Sequence, residues 1–115
     1  MKQRLLIIII CLTFYGCLSD RGLIRLQTIP SAATVYRNGI NIGQTPVEFE
    51  HDYERIDNVT LEKEGFETLN EVIGKKWIRK EARISDSYQE GDFLVNGKMR
   101  HVWKITTTRT LKKEQ

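Results

Sequence analysis

The chain of 115 residues contains little material for several kinds of chemistry. Two cysteines cannot build a disulfide scaffold or a cysteine-rich zinc site, and two histidines leave little for metal or acid–base chemistry. The net charge of +3 is too small an excess for a dedicated nucleic-acid binder. Glycine-rich phosphate loops and Gly-x-Ser-x-Gly elbows are both missing. With 40% apolar and 29% charged residues, the composition predicts one globular domain that is neither disordered nor membrane-embedded.

The N-terminus has the layout of an export signal. Lys2 and Arg4 precede the apolar run Leu5–Tyr15, in which only Thr13 is polar. A bilayer-spanning helix needs about 20 apolar residues, so this run is too short to span. A basic segment before a short apolar core is typical of a secretory signal. We therefore expect residues 1–16 to be a cleaved signal peptide. A buried element of the mature fold and an uncleaved signal anchor are the alternatives.

Gly16 and Cys17 end the apolar run, and polar residues follow. A small residue directly before a cysteine at this place resembles the lipobox of bacterial lipoproteins, with Phe14 and Tyr15 departing from its pattern. The resemblance implies cleavage before Cys17, fatty acylation (palmitate) of that cysteine, and a membrane anchor in the cell envelope. Leu18 after the cysteine favours the outer membrane if the host has one. A secreted protein with one free cysteine is the alternative.

From Gly22 onward, short β-like runs alternate with turn residues. The run Leu23–Ile29 predicts a strand with Ile24, Leu26 and Thr28 on one face. Asn38-Gly39 lies between two apolar runs and predicts a hairpin, because a type I′ turn needs a positive φ at both central positions. The remaining assignments place a strand at Asn58–Lys63, a turn at Glu64-Gly65 and a third hairpin around Asn96-Gly97.

Further expectations concern the C-terminal segment, the packing and the fold class. Lys75–Arg83 is basic and is interpreted mainly as a charged strand face, and the polar stretch Ser85–Asp92 as a loop. We expect the interior to contain Ala33, Val35, Val47, Val59 and Leu61. Trp77, Trp103, Tyr53 and Tyr88 either pack this segment onto the rest or form an exposed binding face. The fold class predicted is all-β, a small β-sandwich of short antiparallel strands and hairpins.

Four short pieces in a fixed order carry a family resemblance. They are Pro30-Ser31-Ala32-Ala33, Val35-Tyr36-Arg37-Asn38-Gly39, Ile42-Gly43-Gln44-Thr45-Pro46 and Lys63-Glu64-Gly65-Phe66. Together they resemble the PEGA domain, a small β-sandwich module of bacterial and archaeal envelope and surface proteins. Ala32 stands where the name-giving motif has glycine, so a positive φ there would be strained. The usual glycine after the Thr-Pro step is also missing.

The resemblance sets the expected organisation and activity. It assigns residues 22–74 to a PEGA-like domain, after a lipidated N-terminus and linker at 17–21 and before a C-terminal β extension with a frayed tail at 75–115. It implies a binding or attachment module without catalytic activity or cofactor. The residues expected to shape its turns are Pro30, Asn38, Gly39, Gly43, Thr45, Pro46 and Gly65.

Few side chains suggest chemistry. His51 lies between Glu50 and Asp52, which could form a metal corner, but we expect a solvated loop there because neighbours on a strand point to opposite faces. His101 is expected on the surface. Oxygen-rich loops bind Ca²⁺, yet Asp86, Glu90 and Asp92 match no ligand spacing. The basic run from Lys75 could also dock on anionic headgroups.

Three functions remain open from the sequence. The first is a membrane-anchored envelope lipoprotein whose β-domain binds a protein or cell-wall partner or has a structural role. The second is an accessory or inhibitor protein that docks on an envelope enzyme or assembly by strand addition. The third is a small enzyme or metal protein. We expect the first, with no nucleic-acid partner, no metal and no enzymatic activity.

Overall fold

The chain forms two four-stranded β-sheets packed against each other, with one short helix at their side. The computed structural model describes residues 21–84 and 87–114. The elements are β1 (Arg21–Ile29), β2 (Thr34–Arg37), β3 (Ile40–Gln44), β4 (Val47–Asp52), β5 (Asp57–Glu62), β6 (Leu69–Ile73), α1 (Lys75–Ala82), β7 (Tyr88–Val95) and β8 (Lys98–Thr110). The predicted all-β sandwich is confirmed. The predicted signal peptide and Cys17 lie outside the described residues.

The two sheets differ in the relative direction of their strands. The first sheet has the order β4-β1-β8-β7 and the second β3-β2-β5-β6. Neighbouring strands are antiparallel except β1 and β8, which run parallel from the Gly22–Trp103 pair to the Ile29–Thr110 pair. This one parallel pair departs from the antiparallel pairing predicted for the sandwich. The first and last strands of the described chain are direct neighbours.

The core lies between the sheets and follows the alternation of each strand. In β1, Ile24 and Leu26 are almost fully buried, and in β5 the same holds for Val59 and Leu61. Successive side chains of a strand point to opposite faces, so every second residue faces the other sheet. The core cluster consists of Ile24, Leu26, Val35, Phe49, Val59, Leu61 and Ile73. Of the predicted interior, only Val47 is partly exposed, and it packs at the rim.

Helix α1 occupies the segment interpreted as a charged strand face, so that prediction is wrong. Ile78 and Glu81 are buried and Trp77 is half-buried, which puts these three on one helical face because residues three and four apart are neighbours. The helical spacing of apolar residues is not evident in the sequence, because Glu81, the third residue on the buried face, is an acid. The helix contacts β6 of one sheet and β8 of the other, so it closes one side of the sandwich.

The predicted loop at Ser85–Asp92 is also corrected. From Tyr88 onward this stretch is strand β7, which pairs with β8 from Tyr88–Ile105 to Val95–Lys98. An edge strand needs only backbone partners on one side, so polar side chains do not exclude it. Asn96 and Gly97 have φ of 51° and 80° and make the connecting turn.

One end of the sandwich collects the start of β1 and several connections. We call it the entrance end: Arg21, the Asn38-Gly39 turn with Ile40, residues 53–56, the start of α1, and the arm, residues 91–102 of the β7–β8 hairpin. Residues 98–102 of β8 precede the Gly22–Trp103 pair, so they extend past the start of β1. The Asn96 amide comes within 3.4 Å of Glu50 on β4, so the tip of the arm reaches across the outer side of the first sheet.

Ala32 generates a prediction about stability. Its φ is 64°, and its backbone N–H donates to the carbonyl of Thr45 at 3.1 Å. A Cβ in the left-handed region costs about 1–2 kcal/mol, while glycine adds chain entropy to the unfolded state. We expect Ala32→Gly to raise the free energy of unfolding by about 0.5–1 kcal/mol in urea denaturation.

The neighbouring Ala33 is the matched control. It is fully buried and is not among the described residues with positive φ. Ala33→Gly should lower the free energy of unfolding by about 1 kcal/mol, because it removes a packed methyl group and adds chain entropy. If the two variants shift stability in the same direction, strain at Ala32 is not the cause.

Candidate functional site

The sequence places His51 in a solvated loop, and the structure shows the opposite. His51 lies in β4 and is 0% exposed. Its Nδ1 is 2.5 Å from Oδ2 of Asp57, the first residue of β5. Because β4 belongs to one sheet and β5 to the other, this contact joins the two sheets through a buried hydrogen bond.

Asp57 is the centre of a polar cluster at the entrance end. Its Oδ2 also accepts from Nη2 of Arg37 at 3.0 Å, and its Oδ1 accepts from Nδ2 of Asn38 at 2.8 Å. Arg37 Nη2 donates in addition to the backbone carbonyl of Glu50 at 2.8 Å. The guanidinium lies over the Phe49 ring, 4.6 Å from its centroid. A buried carboxylate therefore holds β2, the β2–β3 turn and β4 together.

The electrostatics of this cluster favour the charged form of Asp57. Desolvation raises the pKa of the carboxyl, but hydrogen bonds from Arg37, His51 and Asn38 outweigh it and hold the pKa below its usual value. An ionised carboxylate only accepts hydrogen bonds. Nδ1 of His51 therefore carries the hydrogen and donates a hydrogen bond to Asp57.

The other side of the His51 ring meets an apolar wall. Nε2 is buried and has no hydrogen-bond partner among the described residues. The ring stands edge-on to Trp103, with centroids 6.5 Å apart. Trp103 lies over Gly22, where a Cβ would come within 2.0 Å of the indole, so only glycine permits this row of three across the sheet.

A small cleft of about 370 Å³ opens beside this cluster. It is lined by Arg21, Arg37, Asn38, Glu50, Asp52, Arg55 and Asp57. Its charges pair with one another: Arg21 is 3.5 Å from Glu50 and Arg55 is 3.9 Å from Asp52. The cleft therefore carries charge-paired side chains and no hydroxyl or thiol nucleophile in its lining. The geometry makes the His51–Asp57 pair a crosslink between sheets.

The turn residues named by the sequence lie in two places. Asn38 and Gly39, with φ of 52° and 82°, form the β2–β3 turn at the entrance end. At the opposite end, Gly65 has a φ of 84° in the β5–β6 connection. Gly43, with a φ of 121°, is paired with Val35, where a bulge shifts the register.

At that opposite end, the hydroxyl group of Thr28 links the Thr45 hydroxyl to the backbone carbonyl of Pro30. Thr45 Oγ1 accepts from the backbone N–H of Ala33 at 2.9 Å and is 2.6 Å from Oγ1 of Thr28. Thr28 donates its one hydroxyl proton to the carbonyl of Pro30 at 2.7 Å, so the proton between the two threonines belongs to Thr45. The buried Thr45 side chain thus links Thr28 of β1 to the start of β4, while Pro46 is exposed.

A second, partly buried ionic cluster fastens the helix. Glu81 is 3% exposed and bonds to Arg109 of β8, which also bonds to Glu71 of β6. Thr107 Oγ1 donates to Glu81 at 3.0 Å. Desolvation lowers the pKa of Arg109, and the two carboxylates more than reverse this and raise it. Removing one partner of such a cluster leaves an uncompensated buried charge, so the three groups act as a unit.

The remaining candidates do not converge. His101 is exposed, as expected, and its Nδ1 lies 3.2 Å from Asp92. Glu90 accepts from the Tyr88 hydroxyl at 2.6 Å, and Asp86 lies outside the described residues. Within residues 21–84 and 87–114, no group of three His, Cys, Asp or Glu side chains could hold a metal ion. In the same part of the chain, no helix has the length and apolarity to cross a bilayer.

The aromatic residues settle one open alternative. Trp77 and Trp103 are partly buried and pack against the core cluster, and Trp77 lies on α1 while Trp103 lies on β8. Both belong to the C-terminal segment, so they pack this segment onto the preceding strands. Tyr88 stays exposed on the edge strand.

Comparison with known proteins gives one match. The family model of the PEGA domain matches residues 21–76, which confirms the resemblance predicted from four motif pieces. The match covers β1 to β6 and the first two residues of α1, so β7 and β8 lie outside it. No curated protein and no solved structure matches the chain.

The Asp57 cluster predicts how the free energy of unfolding changes at acid pH. The folded-state pKa of Asp57 is lowered, so its contribution is fully present above the unfolded pKa of about 3.9 and is lost as pH falls through the folded pKa. We expect Asp57→Asn to lower the free energy of unfolding by about 1–3 kcal/mol near neutral pH, because Arg37 and His51 lose their anion. The variant should also lose stability less steeply than the wild type as the pH falls below about 4.

Asp92→Asn is the matched control, because Asp92 is an exposed carboxylate that also faces a histidine. Its effect should stay within about 0.5 kcal/mol. Urea unfolding across the acid range measures both variants. Equal pH slopes in Asp57→Asn and wild type would contradict the role assigned to Asp57.

Proposed function

Because residues 21–76 form a PEGA domain, we propose that this chain is a membrane-anchored lipoprotein of the cell envelope, whose β-domain serves as a binding or structural module. The observation that carries the proposal is the spacing of two features. The lipobox-like Gly16-Cys17 lies directly after an apolar run, and the domain begins four residues after Cys17. An anchor and a module in this order describe a tethered domain with almost no linker.

The physical chemistry of the anchor supports stable attachment. Each buried CH₂ of an acyl chain contributes about 0.8 kcal/mol, and more than one chain is needed for lasting membrane binding. Acylation would also remove a free thiol, which is a liability in an oxidising compartment. The proposal places the protein at the cell envelope and favours the outer membrane if the host has one.

The module role is supported by how the described side chains are used. The two ionic clusters join β-sheets or fasten the helix, and their charged groups are engaged with one another. Large apolar side chains remain exposed on the surface, among them Ile40, Leu94 and Met99. A stable scaffold with exposed apolar side chains is suited to contact with a partner.

The anchor is tested by intact-mass measurement of protein purified from membranes. We expect the wild type to lack residues 1–16 and to carry added acyl mass. Cys17→Ala should carry no acyl mass, because it removes the sulfur that the lipid would modify. Cys11→Ala is the matched control and should match the wild type, since Cys11 would leave with the signal. Wild-type protein without acyl mass would contradict the proposal.

A second candidate is an accessory or inhibitor protein that docks on an envelope enzyme or assembly. The observation that favours it is the free edge of β7, which has one neighbour, β8, in the sheet order. An unpaired edge can receive an extended strand from a partner, and backbone hydrogen bonds then supply much of the affinity.

Photo-crosslinking in membranes separates this candidate from the first. A photoreactive amino acid at Gln89 on β7 should give one discrete protein adduct if a partner adds a strand there. The same group at Asn41 on β3, one of the two edge strands of the other sheet, is the control. An identical adduct pattern at both positions would count against edge docking on β7.

A further inference from the structure

We propose that the entrance end rests on the headgroup layer of the membrane that holds the anchor, with the arm as its main contact; this rests on the proposed acylation of Cys17. The proposed occupant is a lipid bilayer, and the surface that contacts it is the Leu94–Met99 face of the arm. The inference concerns orientation and a lipid-contacting surface, which an anchor by itself does not specify.

The length of chain before β1 is the first argument. Cys17 lies four residues before Arg21, and four residues span at most about 14 Å when fully extended. A lipid attached there keeps the start of β1 within that distance of the headgroups. The strand pairing places the arm, the 53–56 segment and the start of α1 at the same end as Arg21.

The distribution of exposed apolar side chains is the second argument. Ile40, Ile56, Leu94 and Met99 are all more than 60% exposed, and all four lie at the entrance end. Leu94 and Met99 are directly opposite each other in the β7–β8 register, so they form one apolar patch on the arm. Exposed apolar side chains beside basic ones suit an interface between hydrocarbon and headgroups.

Charge is the third argument. The acids of the entrance end are engaged: Glu50 with Arg21, Asp52 with Arg55, and Glu54 with Lys75 at 3.0 Å. Asp92 faces His101.

Lys98 and Arg100 flank Met99 and are exposed, and within the described residues neither forms an ion pair. The excess charge of the arm is therefore positive, which complements anionic lipid headgroups.

The opposite end of the sandwich has a different character. A groove of about 690 Å³ at that end is lined by Glu62, Glu64 and Glu114 together with Lys63, Phe66 and other residues. Carboxylates are repelled by an anionic surface. Chain length, the Leu94–Met99 patch and the cations that flank it thus select the entrance end.

The test uses the full-length, acylated chain in vesicles of phosphatidylcholine and phosphatidylglycerol. A fluorophore that senses its surroundings is attached at Met99→Cys or Ile56→Cys, and at Ser31→Cys or Lys63→Cys as controls from the opposite end. A nitroxide on the lipid headgroup quenches fluorophores close to it. We expect strong quenching at the two entrance positions and little at the two controls. Equal quenching at both ends would overturn the inference.

Charge reversal isolates the electrostatic part. In the Met99→Cys background, Lys98→Glu and Arg100→Glu should each lower the ratio of docked to undocked protein about fivefold or more, which corresponds to about 1 kcal/mol for each cation near an anionic surface. In vesicles of phosphatidylcholine alone, the two substitutions should have little effect. If the two substitutions leave the quenching in anionic vesicles unchanged, headgroup docking is contradicted.

The outcomes separate the inference from the anchor. If Cys17 is not acylated, the parent chain itself reacts with the thiol-specific fluorophore, and the proposed function fails at that point. If the parent is unreactive and bound to vesicles but the entrance positions are not quenched, the anchor stands and the docked orientation is wrong. Protection of Met99→Cys in native membranes but not in pure lipid vesicles would assign the arm to a protein partner and overturn the inference.

Discussion

The carboxylate of Asp57 is the interaction on which the architecture most depends. It is buried at the start of β5 in one sheet. It accepts hydrogen bonds from Arg37, Asn38 and His51, and His51 belongs to the other sheet. The hydrophobic driving force that packs two apolar sheet faces together is non-directional. Charged hydrogen bonds are directional, so this cluster sets how the sheets and the β2–β3 turn are placed relative to one another.

The C-terminal segment completes the fold in a way that the family match alone does not convey. The match ends at residue 76, yet β1 lacks one of its two neighbours until β8 is in place. Arg109 of β8 then reaches Glu71 on β6 and Glu81 on the helix, which links the added elements to the second sheet. Trp103 covers Gly22 from the same strand. The segment is thus integrated into the first sheet and its surroundings.

Local patterns in the sequence predict much of this fold. The alternation in β1 and β5 and the Asn38-Gly39 turn depend on neighbours in the chain, and the structure confirms the buried faces of both strands. The errors arise where a distant residue decides the outcome. Glu81 hides the helical period because its partner is Arg109. The sequence predicts a solvated His51, because the burial of this histidine depends on Asp57 in the other sheet. The parallel β1–β8 pair joins residues about eighty positions apart, for which no local pattern exists.

The parallel pairing of β1 with β8 has a mechanical consequence. β1 begins at the entrance end and β8 finishes at the opposite end, so the two strands leave the sheet in opposite directions. A pull between the first residue of β1 and the last residue of β8 would load their shared hydrogen bonds in shear, because the force runs along the strands and across those bonds. Many bonds must then yield together instead of one after another. The β1–β8 pair is therefore the part of the domain that resists a pull on these two strand ends.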